Sequence, residues 1–349
     1  MRQEDYNEEL FETLDIIVDG KQSPLRLDKF LFDRLQKSTR NRIQNAIKAG
    51  SIMVDARIVK PNHRVKPGQK ISVVIPKPPG EESSLKPENI PLDIRYEDDD
   101  LLIVHKPPGM VVHPGIGHRN GTLVNALAYH LRDLDNVPTL PGNDQNRVGL
   151  VHRIDKDTSG LLVIAKNEYT MSHLARQFFD HTVDRSYVAI VWGEPEPTDG
   201  SIEADIMRHP RQRKQYTTTD EPGMGKWALT HYKTLEPLYY VSLIECRLET
   251  GRTHQIRVHM KSIGHTLFND SNYGGDRILK GTVYTKYKSF VDKVFNMLPR
   301  QALHARSLGF IHPATGEHMF FESDLPKDME DALTAFRHYT DAKRQMDRL

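Results

Sequence analysis

Between two stretches that can fold lies one that cannot. Residues 76–91, "PKPPGEESSLKPENIP", are rich in Pro, Gly, Ser and Glu and show no hydrophobic period. Such a stretch forms neither ladder nor helix, so it reads as a linker dividing the 349-residue chain into two domains. Charge divides the chain as well. Residues 1–20 carry one Arg against seven acids, net −6, and residues 21–75 carry 13 Lys/Arg against three Asp, net +10. The overall charge of +1 conceals this split. We expect residues 1–20 to be an acidic flexible arm, able to shield the basic module, and residues 92–349 to form the second domain.

Composition excludes several classes. With 38% hydrophobic and 8% aromatic residues the chain can bury an ordinary globular core. The start, "MRQEDYNEEL", is acidic where a signal peptide is basic and then apolar, and no apolar run approaches the ~18 residues of a membrane span. Cys246 stands alone, so it forms no intramolecular disulfide. A cytoplasmic protein, without membrane partners and working as a monomer, is expected.

In the basic module, "RLDKFLFDRL" places Leu27, Phe30, Leu31 and Leu35 at helical spacing. In "STRNRIQNAIKAG", Ser38 or Thr39 can cap a second helix, Ile43 and Ile47 share a face, and Gly50 can end it. "SIMVDARIV" then reads as a tight hairpin and "GQKISVVIP" as a closing strand. Arg40, Arg42 and Lys48 fall on or beside the second helix, and Arg57, Lys60, Arg64 and Lys66 on the hairpin and the loop after it. A density of +10 over 55 residues suits a phosphate backbone, whose neutralisation releases counterions. Over residues 24–75 the pattern resembles the alpha-L RNA-binding module of ribosomal protein S-four type.

Beyond the linker, short apolar strands recur at "LLIVHK", "GLLVIAK", "YVAIVWG", "WALTHYKTLE" and "YYVSLIECRLET", with helices expected at 167–180, 253–263 and 328–345. Their irregular alternation predicts an α+β fold with a mixed, largely antiparallel sheet.

Cofactor chemistry finds no foothold in the motifs. His254 and His259 are five apart, about 140° around a helix, and so do not make an i, i+4 metal pair. No phosphate-cradling glycine motif is present. No metal and no cofactor are expected. "HRIDKDTSG" instead crowds His152, Arg153, Asp155, Lys156 and Asp157 into six residues before an apolar strand, where burial of unpaired charge costs several kcal/mol. Asp157, Thr158, Ser159 and Gly160 read as a turn, but Asp155 precedes it and projects from the strand end. Arg185 and Tyr187 enter another apolar strand, and Arg252, Thr253, His254, Gln255 and Arg257 enter a helix. The cluster "RHPRQRKQY" adds Arg208, Arg211, Arg213 and Lys214, with Lys106 and Arg119 as weaker phosphate candidates.

Taken together, "HRIDKDTSGLLVIAKN", "RSYVAIVWG" and "TGRTHQIRVHMKSIGH", with "YGG" at 273–275, resemble the RluA/RluD family of RNA pseudouridine synthases. "LLIVHKPPGMVVHPG", "RQRKQY…GKWALTHY" and "LHARSLGFIHPATGE" extend the resemblance across residues 24–328. Thr266 and Asn269 stand where the family usually has Pro and Gly, and the stretch 276–300 is longer than usual. The resemblance implies isomerisation of uridine to pseudouridine in RNA, most simply in large-subunit ribosomal RNA. It assigns Asp155 as nucleophile or ion-pair stabiliser, Arg257 as its cationic partner and Tyr187 as the residue stacked on uracil. Arg153 becomes the wedge that replaces a flipped base, and the 208–216 loop a backbone grip. Two rivals are a non-catalytic RNA-binding ribosome assembly factor and a carboxylate-dependent hydrolase. The former does not need Asp155, Tyr187 and Arg257 together, and the latter requires an activated water, commonly with a second carboxylate or a metal.

Overall fold

The computed structural model describes residues 11–35, 38–76, 85–115, 118–134 and 148–346. The N-terminal domain runs β1 (Phe11–Ile17), β2 (Leu25–Arg26), α1 (Leu27–Phe32), α2 (Arg40–Lys48), β3 (Ile52–Val54), β4 (Arg57–Ile58), β5 (Arg64–Val65) and β6 (Lys70–Pro76). Thr39 caps α2 through the Arg42 amide, and the chain turns at Gly50 with φ +77°. Phe30 and Leu31 of α1, Ile43 and Ile47 of α2, and Ile52 and Ile71 of the sheet close one core.

The sheet of this domain corrects one expectation. Its order is β1-β6-β3-β4, so residues 11–17 are a paired strand and not a flexible arm. Alternation supplies the reason. Leu14 and Ile16 turn toward the core, Val18 is buried, and Asp15 meets Lys70 at 2.8 Å and Ser72 at 2.8 Å on the basic strand β6. The acids thus become cross-strand partners of the neighbouring cations. Residues 1–10 of the expected arm lie outside the described residues, as do 77–84 of the expected linker. After them the chain is not loose: Leu85 is buried in the second domain's core, and the Lys86 carbonyl accepts from Asn125 at 2.8 Å.

The second domain comprises β7 (Asp93–Glu97), β8 (Leu101–Lys106), α3 (Leu123–His130), β9 (Ser159–Ala165), α4 (Glu168–Phe179), β10 (Asp184–Trp192), β11 (Asp199–Arg208) and β12 (Tyr216–Thr219). It continues with β13 (Lys226–Pro237), β14 (Val241–Leu248), α5 (Gln255–Ser262), α6 (Thr285–Met297), β15 (Leu303–Ile311), β16 (His318–Glu322) and α7 (Lys327–Met346). The sheet order is β12-β11-β13-β14-β10-β15-β9-β8-β7, with β16 beside β15. Among the described residues only β9 and β15 pair in parallel, so the fold is α+β with a largely antiparallel sheet, as the strand pattern predicts.

Strand β10 is apolar on both sides because both are covered. Tyr187, Ala189 and Val191 join a core with Leu127 of α3 and Ile256 of α5, whereas Val188, Ile190 and Trp192 join one with Val291 of α6 and Phe336 of α7. The long stretch 276–300 therefore supplies α6, which covers a sheet face. Asn269, at φ +53°, adopts a conformation Asn tolerates in place of Gly, and its amide donates to the carbonyls of Phe295 and Leu298 at the end of α6.

The two domains touch along α4. Arg42 pairs with Glu168 at 3.0 Å, and the buried Ser51 hydroxyl donates to the Ser172 carbonyl at 2.7 Å.

Candidate active site

Burial alternates over residues 152–155, before β9, with Arg153 exposed and Asp155 half-buried. His152 and Ile154 turn inward. His152 Nε2 accepts from the Val163 amide at 3.0 Å and its ring stacks on Phe178, while burial lowers its pKa to about 3. Arg153 and Asp155 are the more exposed, and residues 151–155 all border a cavity of about 330 Å³ that Tyr187, His254 and Arg257 also line. The following residues are fastened by their backbone. The Thr158 amide donates to the Asp155 carbonyl at 3.1 Å, and Arg300 Nη1 donates to the Asp157 carbonyl at 3.0 Å. At Gly160, with φ +124°, a Cβ would lie 2.1 Å from the Ala305 carbonyl oxygen, so only glycine lets β9 meet β15 here.

Lys106 does not face a phosphate. It is fully buried and its ammonium donates to the carbonyls of Pro107, Met110 and Lys156 at 2.8–2.9 Å, tying β8 to the Asp155 turn. Burial pulls its pKa down to about 7, against the upward pull of Asp157 and Asp155. Lys106 and Arg300 were not foreseen as supports. Their signal in sequence is only a cation beside an apolar strand, which does not reveal which carbonyl it will reach.

Helix α5 supplies the counter-charge. Gln255 anchors its start, accepting from the Arg252 amide at 2.9 Å and the Thr250 hydroxyl at 2.7 Å, and Ile256 and Met260 seat it on the core. Arg257, 2% exposed, donates from Nη1 to Asp155 at 2.9 Å and grips Asp270 through Nε at 2.7 Å and Nη2 at 2.8 Å. Two carboxylates raise its pKa against the effect of burial, so it is permanently charged. Asp270 escaped the sequence reading, although a buried arginine needs more than one acceptor. Tyr273 packs behind these residues, its ring centre 4.9 Å from the Arg257 guanidinium carbon and its hydroxyl 2.8 Å from His254 Nδ1.

Asp155 is therefore charged but not saturated. Burial works against its carboxylate, yet His254, Arg257 and Arg153 outweigh that and hold the pKa below the usual range. Among the described residues its carboxylate accepts one hydrogen bond, from Arg257 to Oδ2, with His254 Nε2 3.9 Å from the same oxygen, so Oδ1 accepts none; the residue lines the cavity. Tyr187, 8% exposed, has its pKa raised by burial and by Asp155, against Arg185, so its phenol keeps its proton at neutral pH.

The expected RNA contacts divide. Arg153, Lys48, Arg57, Lys60, Arg64, Arg208, Arg211, Arg213 and Lys214 are exposed, as is Arg119. Arg40, also exposed, is drawn to the buried Asp28 at 3.2 Å, and Arg42 turns to Glu168 instead of outward. As a metal site, the described residues offer only Asp98, Asp100 and His312. Asp98 already accepts from the amides of Asp100 and Leu101 and from Tyr96, and Asp100 from Asn167, so these groups form a hydrogen-bonded turn; none of them lines the cavity. Among the described residues no helix is long and apolar enough to cross a membrane.

The chain that carries this site is similar to known proteins. Residues 100–262 match the sequence model of RNA pseudouridylate synthases and residues 25–71 that of the S4 domain. An uncharacterized RNA pseudouridine synthase of Chlorobaculum parvum is 43% identical over 327 residues, covering 93% of this chain and 97% of its own. The ribosomal large subunit pseudouridine synthase D of Zymomonas mobilis is 43% identical over 308 residues, covering 87% and 92%. The chain belongs to the RNA pseudouridine synthase family, whose members are isomerases. Its fold is shared with human RNA pseudouridylate synthase domain containing 4, at a TM-score of 0.52 and 22% identity, over 70% of this chain and 92% of that one.

Proposed function

We propose that the protein converts uridine to pseudouridine at a defined site in large-subunit ribosomal RNA, with Asp155 acting on the sugar of a base extruded into the cavity. It acts as a monomer in the cytoplasm. The observation that carries this reading is the Asp155 carboxylate, ionised by its surroundings yet bonded through one oxygen only. The reaction breaks the N-glycosidic bond and joins a ring carbon to the same sugar carbon. Atoms are conserved, so it asks for no hydride carrier or phosphate donor. It asks for an anion beside the sugar, which can attack the anomeric carbon or take a sugar proton from the same position. Arg257 keeps that anion charged and aimed.

Tyr187 stacks on the uracil ring. Its raised pKa favours a proton relay over a standing base, because a phenol protonated at neutral pH must give up a proton to receive one. Arg153 lies exposed beside the cavity, where its planar cation can fill the gap left by the flipped base. Lys48, Arg57, Lys60 and Arg64 of the S4 domain and the loop from Arg208 to Lys214 meet the phosphate backbone. The relatives named for the ribosomal large subunit favour that RNA over others.

Pseudouridines are to be mapped in large-subunit ribosomal RNA from cells lacking the protein. Loss at one or a few uridines, restored by the native protein but not by Asp155→Asn, is expected. An unchanged map, or restoration by the variant, overturns the reading.

A further inference from the structure

Among the described residues the two buried guanidinium groups are saturated, and a third, half-buried one is not. Arg300 holds Asp328 through Nε at 2.7 Å and Nη2 at 2.9 Å, and its Nη1 reaches three carbonyls. Arg257 holds two carboxylates. Arg185 makes no hydrogen bond or ion pair among the described residues; its Nε is sealed from solvent without an acceptor, and its guanidinium carbon lies 5.3 Å from the centre of the Phe178 ring. Burial lowers its pKa. A donor sealed from water without an acceptor costs free energy, and the rest of the guanidinium reaches the cavity, so a ligand bound there can supply acceptors that the described residues do not.

Its surroundings say what kind. Arg185 lines the same cavity as Tyr187. The two stand two residues apart on β10, on one face and about 7 Å apart at the strand rise of ~3.4 Å per residue. Gly251 clears the approach, since a Cβ there would come within 3.1 Å of Arg185 Nη1. His181, Arg252 and Arg153 line the cavity too, and Glu249 is the nearby acid that acts on both Arg185 and His181. An anion is attracted here. Arginine presents parallel N–H donors matched to phosphate oxygens, which a compact ammonium does not.

We propose that Arg185 is a positioning residue that binds one backbone phosphate next to the extruded uridine, fixing the sugar between Tyr187 and Asp155. The proposal rests on the reading that this uridine enters the cavity. The bound phosphate satisfies the guanidinium and sets how deep the nucleotide sits. Arg185 itself transfers no proton and touches no reacting atom.

The test is a coupling measurement on the full-length protein. Binding is measured for large-subunit ribosomal RNA stem-loops in which each loop phosphate in turn is replaced by a neutral methylphosphonate. With Arg185 present, one position next to the target uridine should weaken binding by roughly ten- to a hundredfold. Arg185→Gln should lose a similar factor with unmodified RNA and lose nothing more at that position, while Arg185→Lys recovers part of the loss. Full additivity at every position, or unchanged affinity in Arg185→Gln with an unchanged melting temperature, overturns the proposal. If the glutamine variant does not fold, the same cycle is run with Arg185→Lys. Repeating the scan in Asp155→Asn protein separates the two readings, since coupling in that background stands whether or not Asp155 is the nucleophile.

Discussion

Asp28 in the S4 domain and Asp155 in the catalytic domain are both carboxylates held by arginines, and they are finished differently. Asp28 is fully buried and accepts from both Arg26 and Arg40, from Gln44 at 2.7 Å and from the Lys29 amide at 2.9 Å. These bonds overcome the opposing effect of burial and hold its pKa far below the usual range. Nothing remains for a ligand. Asp155 is 20% exposed at its side chain and has one donor, on an arginine that is itself immobilised by Asp270. Saturation separates an acid that holds a domain together from one left available for chemistry. The same contrast divides Arg300 from Arg185.

The comparison is broken most severely by removing each charge in turn. Asp155→Asn should lower turnover at least about 1,000-fold in a single-turnover assay while leaving the melting temperature and RNA affinity nearly unchanged. Asp28→Asn should do the reverse, costing about 2 kcal/mol in urea unfolding with the catalytic rate of the folded protein preserved. The figure is below that for a fully buried pair because Arg26 and Arg40 are 43% and 45% exposed and water screens them. If Asp28→Asn silenced turnover in folded protein, saturation would not be the distinguishing feature.

A smaller effect tests how Arg257 keeps Asp155 ionised. Arg257→Lys cannot grip Asp270 and reach Asp155 together, so turnover should fall by roughly ten- to a hundredfold. The sign with pH is fixed. In the proposed role Asp155 acts when charged, and its pKa is depressed, so native activity should persist as pH falls to the ordinary carboxylate range, with loss setting in below it. In the lysine variant the acid limb should move to higher pH. A limb that stays in place would mean that His254 and Arg153 suffice.

Salt dependence sharpens the distinction between engaged and available cations. Replacing Lys48, Arg57, Lys60 and Arg64 by Gln should make the slope of log affinity against log salt shallower by up to about 3, at ~0.7–0.9 per phosphate contact. Arg42→Gln should leave that slope unchanged, because Arg42 meets Glu168. Its effect is the smallest, at most about 1 kcal/mol of domain docking, and the exchange of Arg42→Glu with Glu168→Arg should restore it.

Much of the fold was legible in the sequence. Short apolar runs pointed to β8, β9, β10 and β14, the spacing of Ile43 and Ile47 to α2, and the crowding of charge before β9 to Asp155 as a candidate. Strand β1 was misread because its acids were weighed as net charge, although "TLDIIV" alternates; pairing with basic β6 decides the matter. Residues 85–91 were misread as part of the linker because composition does not show that Leu85 has a core to enter.

The sequence by itself singled out Asp155, Tyr187 and Arg257 as candidates, since local pattern and order along the chain define the motifs around them. Only the tertiary structure decided which charges are free. Asp270 lies 13 residues from Arg257, Arg300 lies 143 from Asp157, and Arg42 lies far in sequence from Glu168, yet each pair is in contact. Pairing depends on distances of a few ångströms between segments remote along the chain, and on how much water is left between them. Those distances are set by packing, so a lysine such as Lys106 that looks available for phosphate becomes a buried brace, and Arg185 finds no hydrogen-bond acceptor among the described residues.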